Sequence, residues 1–428
     1  MIARGGKGPG VGAREAAHAG LYVHVPFCAS RCSYCDFLSG VFSVAAAERW
    51  LAALEREVMQ RAPAAAGLVF SSMFLGGGTP STLAPEQVGR VFRALRGGFA
   101  AAPDAEITLE ANPESVDARR LVGWREAGVN RLSIGAQSFH ADELARLGRI
   151  HAAGRPAEAF ALARSHGFRR LSLDLMFGLP GQTLQRWGAS VERALELEPE
   201  HLSAYALTAE PGTPLGDAVL AGAVPVPSDA EQAEAYALFL ERTARAGLCS
   251  YETSNVCRPG AEARHNLVYW LRRPYLGLGP SAHGLAGGAR YGNLRDFERW
   301  AGALESGGSP EAEREVESAA AAAREVLLLG LRLTTGVRRG DYEPELWEGV
   351  ERRYGAALEE AAATGRLRAT ADGFAIPRAL RYLADDVLAW IETRAEVHGF
   401  DSCSAHSVPS PSCPSLPSSA TGVTPTRT

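Results

Sequence analysis

Short β-branched or aliphatic runs alternate with longer stretches rich in Ala, Leu, Glu and Arg along most of the chain. Runs at 21–25, 69–75, 107–110, 131–135, 171–176 and 201–207 have the length and residue types of strands. Helical segments follow most of them, among them 44–60, 85–95, 115–127 and 183–197. Repeated β-α units predict a parallel sheet, open or curled into a barrel, because parallel neighbours need a crossover. After about residue 310 the pattern becomes helical, at 311–331 and 343–362, and then reads LRATADGFAIP with a turn at Asp372-Gly373 and a last helix at 385–394. Helices with one small hairpin predict a winged-helix-type unit.

Both ends lack periodicity. Residues 1–20 are rich in Gly and Ala, and residues 401–428 are dominated by Ser, Pro and Thr, so both are expected to be disordered. The expected organisation is an N-terminal extension at 1–20, an α/β core at 21–310, a winged-helix-like unit at 311–396 and a disordered tail at 397–428, where Cys403 and Cys413 would be free thiols. A chain of 428 residues with 46% hydrophobic residues can bury the cores of two such units. No window approaches 18 consecutive apolar residues, and the N-terminus lacks the apolar segment of a secretory signal, which predicts a cytoplasmic protein without a transmembrane segment. The net charge is -5, with arginines interleaved among Asp and Glu, so no nucleic-acid footprint is expected.

Polar residues stand at or near the C-terminal ends of the predicted strands, the edge where α/β folds bind ligands. The first strand runs into LYVHVPFCASRCSYCDF, which places Cys28, Cys32 and Cys35 in a Cys-x3-Cys-x2-Cys loop. The seven cysteines are odd in number and spread over a long chain, which does not suggest a disulfide framework. Three thiolates cannot close a tetrahedral zinc site by themselves, and the next histidine downstream is His140. Iron–sulfur chemistry fits better, because three cysteines on a four-iron cluster leave one iron open to an external molecule. A partial zinc site is the alternative reading. Cys249 and Cys257 match no ligand spacing and read as core or loop thiols.

This loop resembles the cluster loop of the radical S-adenosylmethionine superfamily, and the following motifs keep the order of that family. GGGTPS, with Gly77, Gly78 and Thr79, is similar to its glycine motif; LEANPES supplies Glu110, IGAQSF Gln137, LGRIH Arg149 and LDLMFGLPGQT Asp174. The resemblance implies a partial (β/α)6 barrel holding a 4Fe-4S cluster on the three cysteines and S-adenosylmethionine at the open iron. It also implies that the matched positions, with Tyr22 and Tyr34, bind that cofactor. The chemistry is consistent, since a sulfonium zwitterion needs an arginine fork for its carboxylate and acceptors for its ribose. Either tyrosine would serve equally well as a packing residue.

The order of motifs from Tyr22 to about Arg394 resembles two related families, oxygen-independent coproporphyrinogen III oxidases and HemW-type heme chaperones. The oxidase pattern has a fourth cysteine two residues after the triplet, where this chain has Phe37. RHNLVYW matches the HNxxYW signature of the chaperones and brings His265. On residue chemistry alone His265 is either a buried hydrogen-bonded side chain or an axial ligand of heme iron. His283, in RRPYLGLGPSAHGL, is a second candidate for porphyrin contact. The chaperone resemblance implies binding of heme and its delivery to acceptor proteins, membrane-associated hemoproteins among them, with no catalytic residue required. The oxidase resemblance implies instead oxidative decarboxylation of coproporphyrinogen III to protoporphyrinogen IX through a 5′-deoxyadenosyl radical.

Overall fold

The computed structural model describes residues 18–404. Of the expected tails, residues 1–17 and 405–428, with Cys413, lie outside the described residues. Six strands carry the architecture: β1 His18–Val25, β2 Val69–Gly77, β3 Ala101–Ala111, β4 Arg131–Gln137, β5 Arg170–Phe177 and β6 His201–Ala206. They pair in chain order and in parallel, with at least one helix in each crossover. The sheet continues past β1 through the parallel strand Tyr275–Leu278 and three antiparallel strands, and past β6 through Asn255–Cys257 and Cys249–Ser250.

Alternation within the strands explains the curvature. Leu21, Val23 and Val25 on β1, Leu132 and Ile134 on β4, and Leu171, Leu173 and Leu175 on β5 belong to the apolar core. The intervening positions are polar: Glu110 on β3, Ser133 on β4, Asp174 on β5 and Ser203 on β6 line one cavity. Side chains from both ends of this run meet across that space, so the sheet is curled into an open barrel with a polar lumen. The helix Arg264–Trp270 plugs its lower end, since His265 bonds Ser72 of β2 and its backbone N–H meets Glu106 of β3, both below the strand tips.

A separate core holds the helices Ala319–Gly330, Pro344–Ala363 and Ala384–Ser404 together, with a three-stranded sheet of Val337–Arg338, Gly373–Ala375 and Arg368–Ala369. The hairpin turns at Asp372-Gly373, where the Thr370 N–H donates to the Gly373 carbonyl at 2.8 Å.

Several boundaries differ from those the pattern predicts, among them the start of β3, at Ala101 rather than 107. Residues 311–316 form a strand rather than the start of a helix, because Glu311–Val316 pairs antiparallel with Ala289–Asn293 and sets Glu315 opposite Arg290. The helix begins at Ala319, capped by the Ser318 side chain. The last helix does not stop at 394 but runs to Ser404, taking 397–404 and Cys403 out of the expected tail. Residues 18–20 belong to β1, where the Gly20 N–H donates to the Pro274 carbonyl at 3.0 Å. The helix expected from 115 starts at Ala118, after a 3-10 turn at Pro113–Ser115 and the Asp117 cap.

One buried network locks the first helix, Val44–Arg61, to the sheet extension. Glu57 is fully buried and accepts from the Gly279 N–H at 2.8 Å, the Asn293 side chain at 2.7 Å and Arg61 Nε at 3.0 Å. Arg61 also donates to Asn293 at 2.7 Å and lies over the Tyr291 ring. Removing the carboxylate leaves a buried guanidinium and two buried donors without it, so Glu57→Ala is expected to cost about 3–5 kcal/mol. Urea denaturation measures this, and a loss below about 1 kcal/mol would contradict the network's role.

Candidate functional site

The barrel opens at the C-terminal ends of its strands into a cavity of about 520 Å³, the size range of a site for one small organic ligand. Cys28, Cys32 and Cys35 line its rim, all partly exposed. Their loop is closed at its base by a two-strand ladder between Phe27–Cys28 and Gly40–Val41. It is tied on the far side by Ser33, whose N–H donates to the Leu147 carbonyl at 3.1 Å and whose hydroxyl donates to the Arg146 carbonyl at 2.8 Å. Among the described residues no three His, Cys, Asp or Glu side chains converge as ligands of a single ion. Three thiols on one short loop suit one thiolate per iron of a cluster better than a closed zinc site, which needs a fourth ligand.

The glycine motif lies directly against this loop. The Gly78 N–H donates to the Val25 carbonyl at 2.8 Å and the Thr79 N–H to the Phe27 carbonyl at 2.7 Å, zipping the end of β2 to the segment that enters the loop. A Cβ on Gly78 would stand 2.6 Å from the Phe27 carbonyl oxygen, so the zipper requires glycine there. Gly77 has φ +105° and packs on the His24 imidazole, a second position where a side chain is excluded. The Thr79 hydroxyl donates to Cys28 Sγ at 3.3 Å.

Around the rim the polar groups are held in fixed orientations. The Gly77 N–H donates to Glu110 at 3.2 Å. Asp174 accepts from Ser133 at 3.0 Å, from Ser203 at 2.8 Å and from Ser172 at 3.4 Å. Arg149 donates to the Gly135 carbonyl and to Asn112, both at 2.8 Å, and to Cys32 Sγ at 3.7 Å, so the guanidinium stands beside the cysteine rim. Gln137 ends β4 at φ +63° beside a register shift, a left-handed conformation that a non-glycine residue adopts only when its surroundings enforce it. Burial, with Asp174 nearby, pushes the Glu110 carboxyl up to about 8, against the Gly77 N–H and the Arg131 charge. Burial likewise raises Asp174, against its serine donors.

The structure brings Cys28, Cys32, Cys35, Tyr34, Gly77, Gly78, Thr79, Glu110, Gln137, Arg149 and Asp174 to the one cavity. Tyr22 is not on its lining; its hydroxyl meets His24 at 3.1 Å and its ring stacks on Phe74. His265 is buried behind the cavity floor, 2% exposed, with Nδ1 on the Ser72 hydroxyl and Nε2 on the Tyr269 hydroxyl, both at 2.9 Å. Burial pushes it down to about 3, so it is neutral and both ring nitrogens are engaged. His283 lies on an outer strand, half exposed, 3.8 Å from Glu313 and away from the cavity. Cys249 and Cys257 face each other across adjacent edge strands, far along the sheet from the triplet.

Residues missed by motif reading are Asn112, Ser133, Ser203 and Arg131. The repeated Leu-Ser of β4, β5 and β6, at 132–133, 171–172 and 202–203, is the signal that could have found the serines. It alternates an outward apolar residue with an inward hydroxyl.

Residues 22–194 match the model of the radical SAM superfamily. The chain is 34% identical to the heme chaperone HemW of Bacillus subtilis over 345 residues, 80% of this chain and 91% of that protein. It is 39% identical to the heme chaperone HemW of Mycobacterium tuberculosis over 352 residues, 80% of this chain and 89% of that protein. The fold is similar to that of coproporphyrinogen III oxidase (HemN) from Escherichia coli, described as a radical SAM enzyme, with a TM-score of 0.75 and 24% identity over 89% of this chain and 92% of that one.

The raised Glu110 gives this site a pH signature. With its folded value above that of an unfolded glutamate, the protonated form is preferred, and that contribution to stability is lost as pH rises through about 8. A cationic ligand needs the carboxylate instead and must displace a proton below that value. S-adenosylmethionine affinity should therefore rise about tenfold between about pH 7 and pH 9, with proton release at pH 7 seen by calorimetry in buffers of different ionisation enthalpy. A flat affinity without proton release would contradict contact with Glu110.

Proposed function

Because the chain belongs to the HemW heme chaperone family of the radical SAM superfamily, we propose that it binds heme and delivers it to acceptor proteins in the cytoplasm, membrane-associated hemoproteins among them. In this reading Cys28, Cys32 and Cys35 hold a 4Fe-4S cluster and Gly77, Gly78, Thr79, Glu110, Gln137, Arg149 and Asp174 hold S-adenosylmethionine. The observation that carries the cofactor assignment is the single cavity that these residues share. A bound cluster supplies an open iron for the amino and carboxylate groups of the cofactor. Arg149 presents positive charge beside Cys32 and suits the carboxylate. The Glu110 and Asp174 carboxylates offer acceptors for amine and ribose hydroxyls. Tyr34 packs beside Leu147, Met176, Leu179 and Leu215 under the loop and shields that edge of the site from water.

Phe37 supports the chaperone reading over the oxidase one. It stands where the oxidase pattern has its fourth cysteine, lines the cavity mouth and is 62% exposed. Protein with its cluster reconstituted anaerobically should bind heme without converting coproporphyrinogen III. Multiple turnovers to protoporphyrinogen IX would reverse that ranking.

His265 can serve as an axial ligand only after giving up one of its two hydrogen bonds, to Ser72 at Nδ1 or to Tyr269 at Nε2, and Tyr269 in turn packs on Tyr275. Breaking such a bond costs about 1 kcal/mol. If His265 ligates heme iron, Tyr269→Phe should tighten heme binding roughly fivefold and His265→Ala should weaken it, both read by Soret titration. Unchanged affinity and spectra in both variants would leave His265 as a packing residue of the barrel plug.

A further inference from the structure

Arg131 begins β4 and is 4% exposed, yet it lines the floor of the cavity. Among the described residues nothing forms a hydrogen bond or ion pair with its guanidinium. The other cavity arginine, Arg149, is already engaged by Asn112, the Gly135 carbonyl and Cys32. Glu110 and Asp174 feel the Arg131 charge, but neither lies within ion-pairing distance, and Asp174 is satisfied by serine hydroxyls. His201, beside it on the floor, is neutral through burial, with Nδ1 on Ser172 at 2.8 Å and Nε2 on Tyr251 at 3.0 Å. The floor thus holds one fixed positive charge with an open donor fork. A buried guanidinium without an anion is costly, and a planar fork matches a carboxylate in two-point contact.

We propose that Arg131 is a carboxylate-anchoring subsite below the cofactor position, built for an acidic arm of the second organic ligand. Resting on the heme chaperone reading, the arm is a propionate of heme. Asn266, next to His265 on the plug helix, lines the same floor, so this subsite adjoins the HNLVYW segment.

The test compares heme with heme dimethyl ester, whose propionates carry no charge, on reconstituted wild-type protein, Arg131→Gln and Arg131→Lys. Wild type should bind heme at least about tenfold more tightly than the diester, and Arg131→Gln should lose that preference while binding the diester within about twofold of wild type. Arg131→Lys keeps the charge without the fork and should retain a reduced preference, which guards against a Gln variant that fails to fold. An undiminished preference in Arg131→Gln, or equal weakening of both ligands, overturns the subsite alone. Absence of heme binding by wild type overturns the chaperone reading and the propionate assignment with it.

Discussion

Inside a curled sheet a buried polar side chain is costly unless a fixed partner answers it, and Arg131 apart, the ionisable side chains named on the wall of this lumen each have one. That constraint organises this barrel from floor to mouth. His265 and His201 are each held between a serine and a tyrosine, Asp174 among three serines, Glu110 on the Gly77 N–H and Arg149 on backbone, amide and thiol. The apolar face of the same strands has the opposite requirement and is met by the surrounding helices. A period of two therefore places core on one side and chemistry on the other.

Preorganisation at the mouth follows from the same economy of backbone. Bare glycine at 78 lets β2 bond to the chain entering the cysteine loop, and Thr79 then reaches Cys28. On the opposite wall, the strained Gln137 and the bound Arg149 keep the rim in one geometry. These contacts join the loop to β2 and to the segment after β4, so a ligand entering there meets groups that need little rearrangement.

The strand ends and the cysteine triplet were legible because they depend on local pattern: an apolar run, a breaker and a motif at fixed spacing. The six strands and the order of the motif residues were accordingly expected where they are found. Tertiary pairing hid the rest. EAEREV has helical residue types, but Ala289–Asn293 offers it a ladder and matching charges, so it is a strand. The serines that hold Asp174 come from three strands, and only the closed lumen brings them together. His265 stands in a recognisable motif, yet its pairing with Ser72, nearly two hundred positions away in the chain, depends on the plug helix entering the barrel. Arg131 opens a strand in an ordinary apolar run, and its lack of a partner is visible only in three dimensions.

The central claim is that the three-cysteine rim and the polar wall below it form one cofactor site. Electron paramagnetic resonance of the reduced, reconstituted protein tests it most directly, by recording the cluster signal with and without S-adenosylmethionine. The account predicts a cluster signal whose g values shift on addition of the cofactor, and a much smaller shift in Arg149→Ala at the same cofactor concentration. A signal identical with and without the cofactor would contradict it.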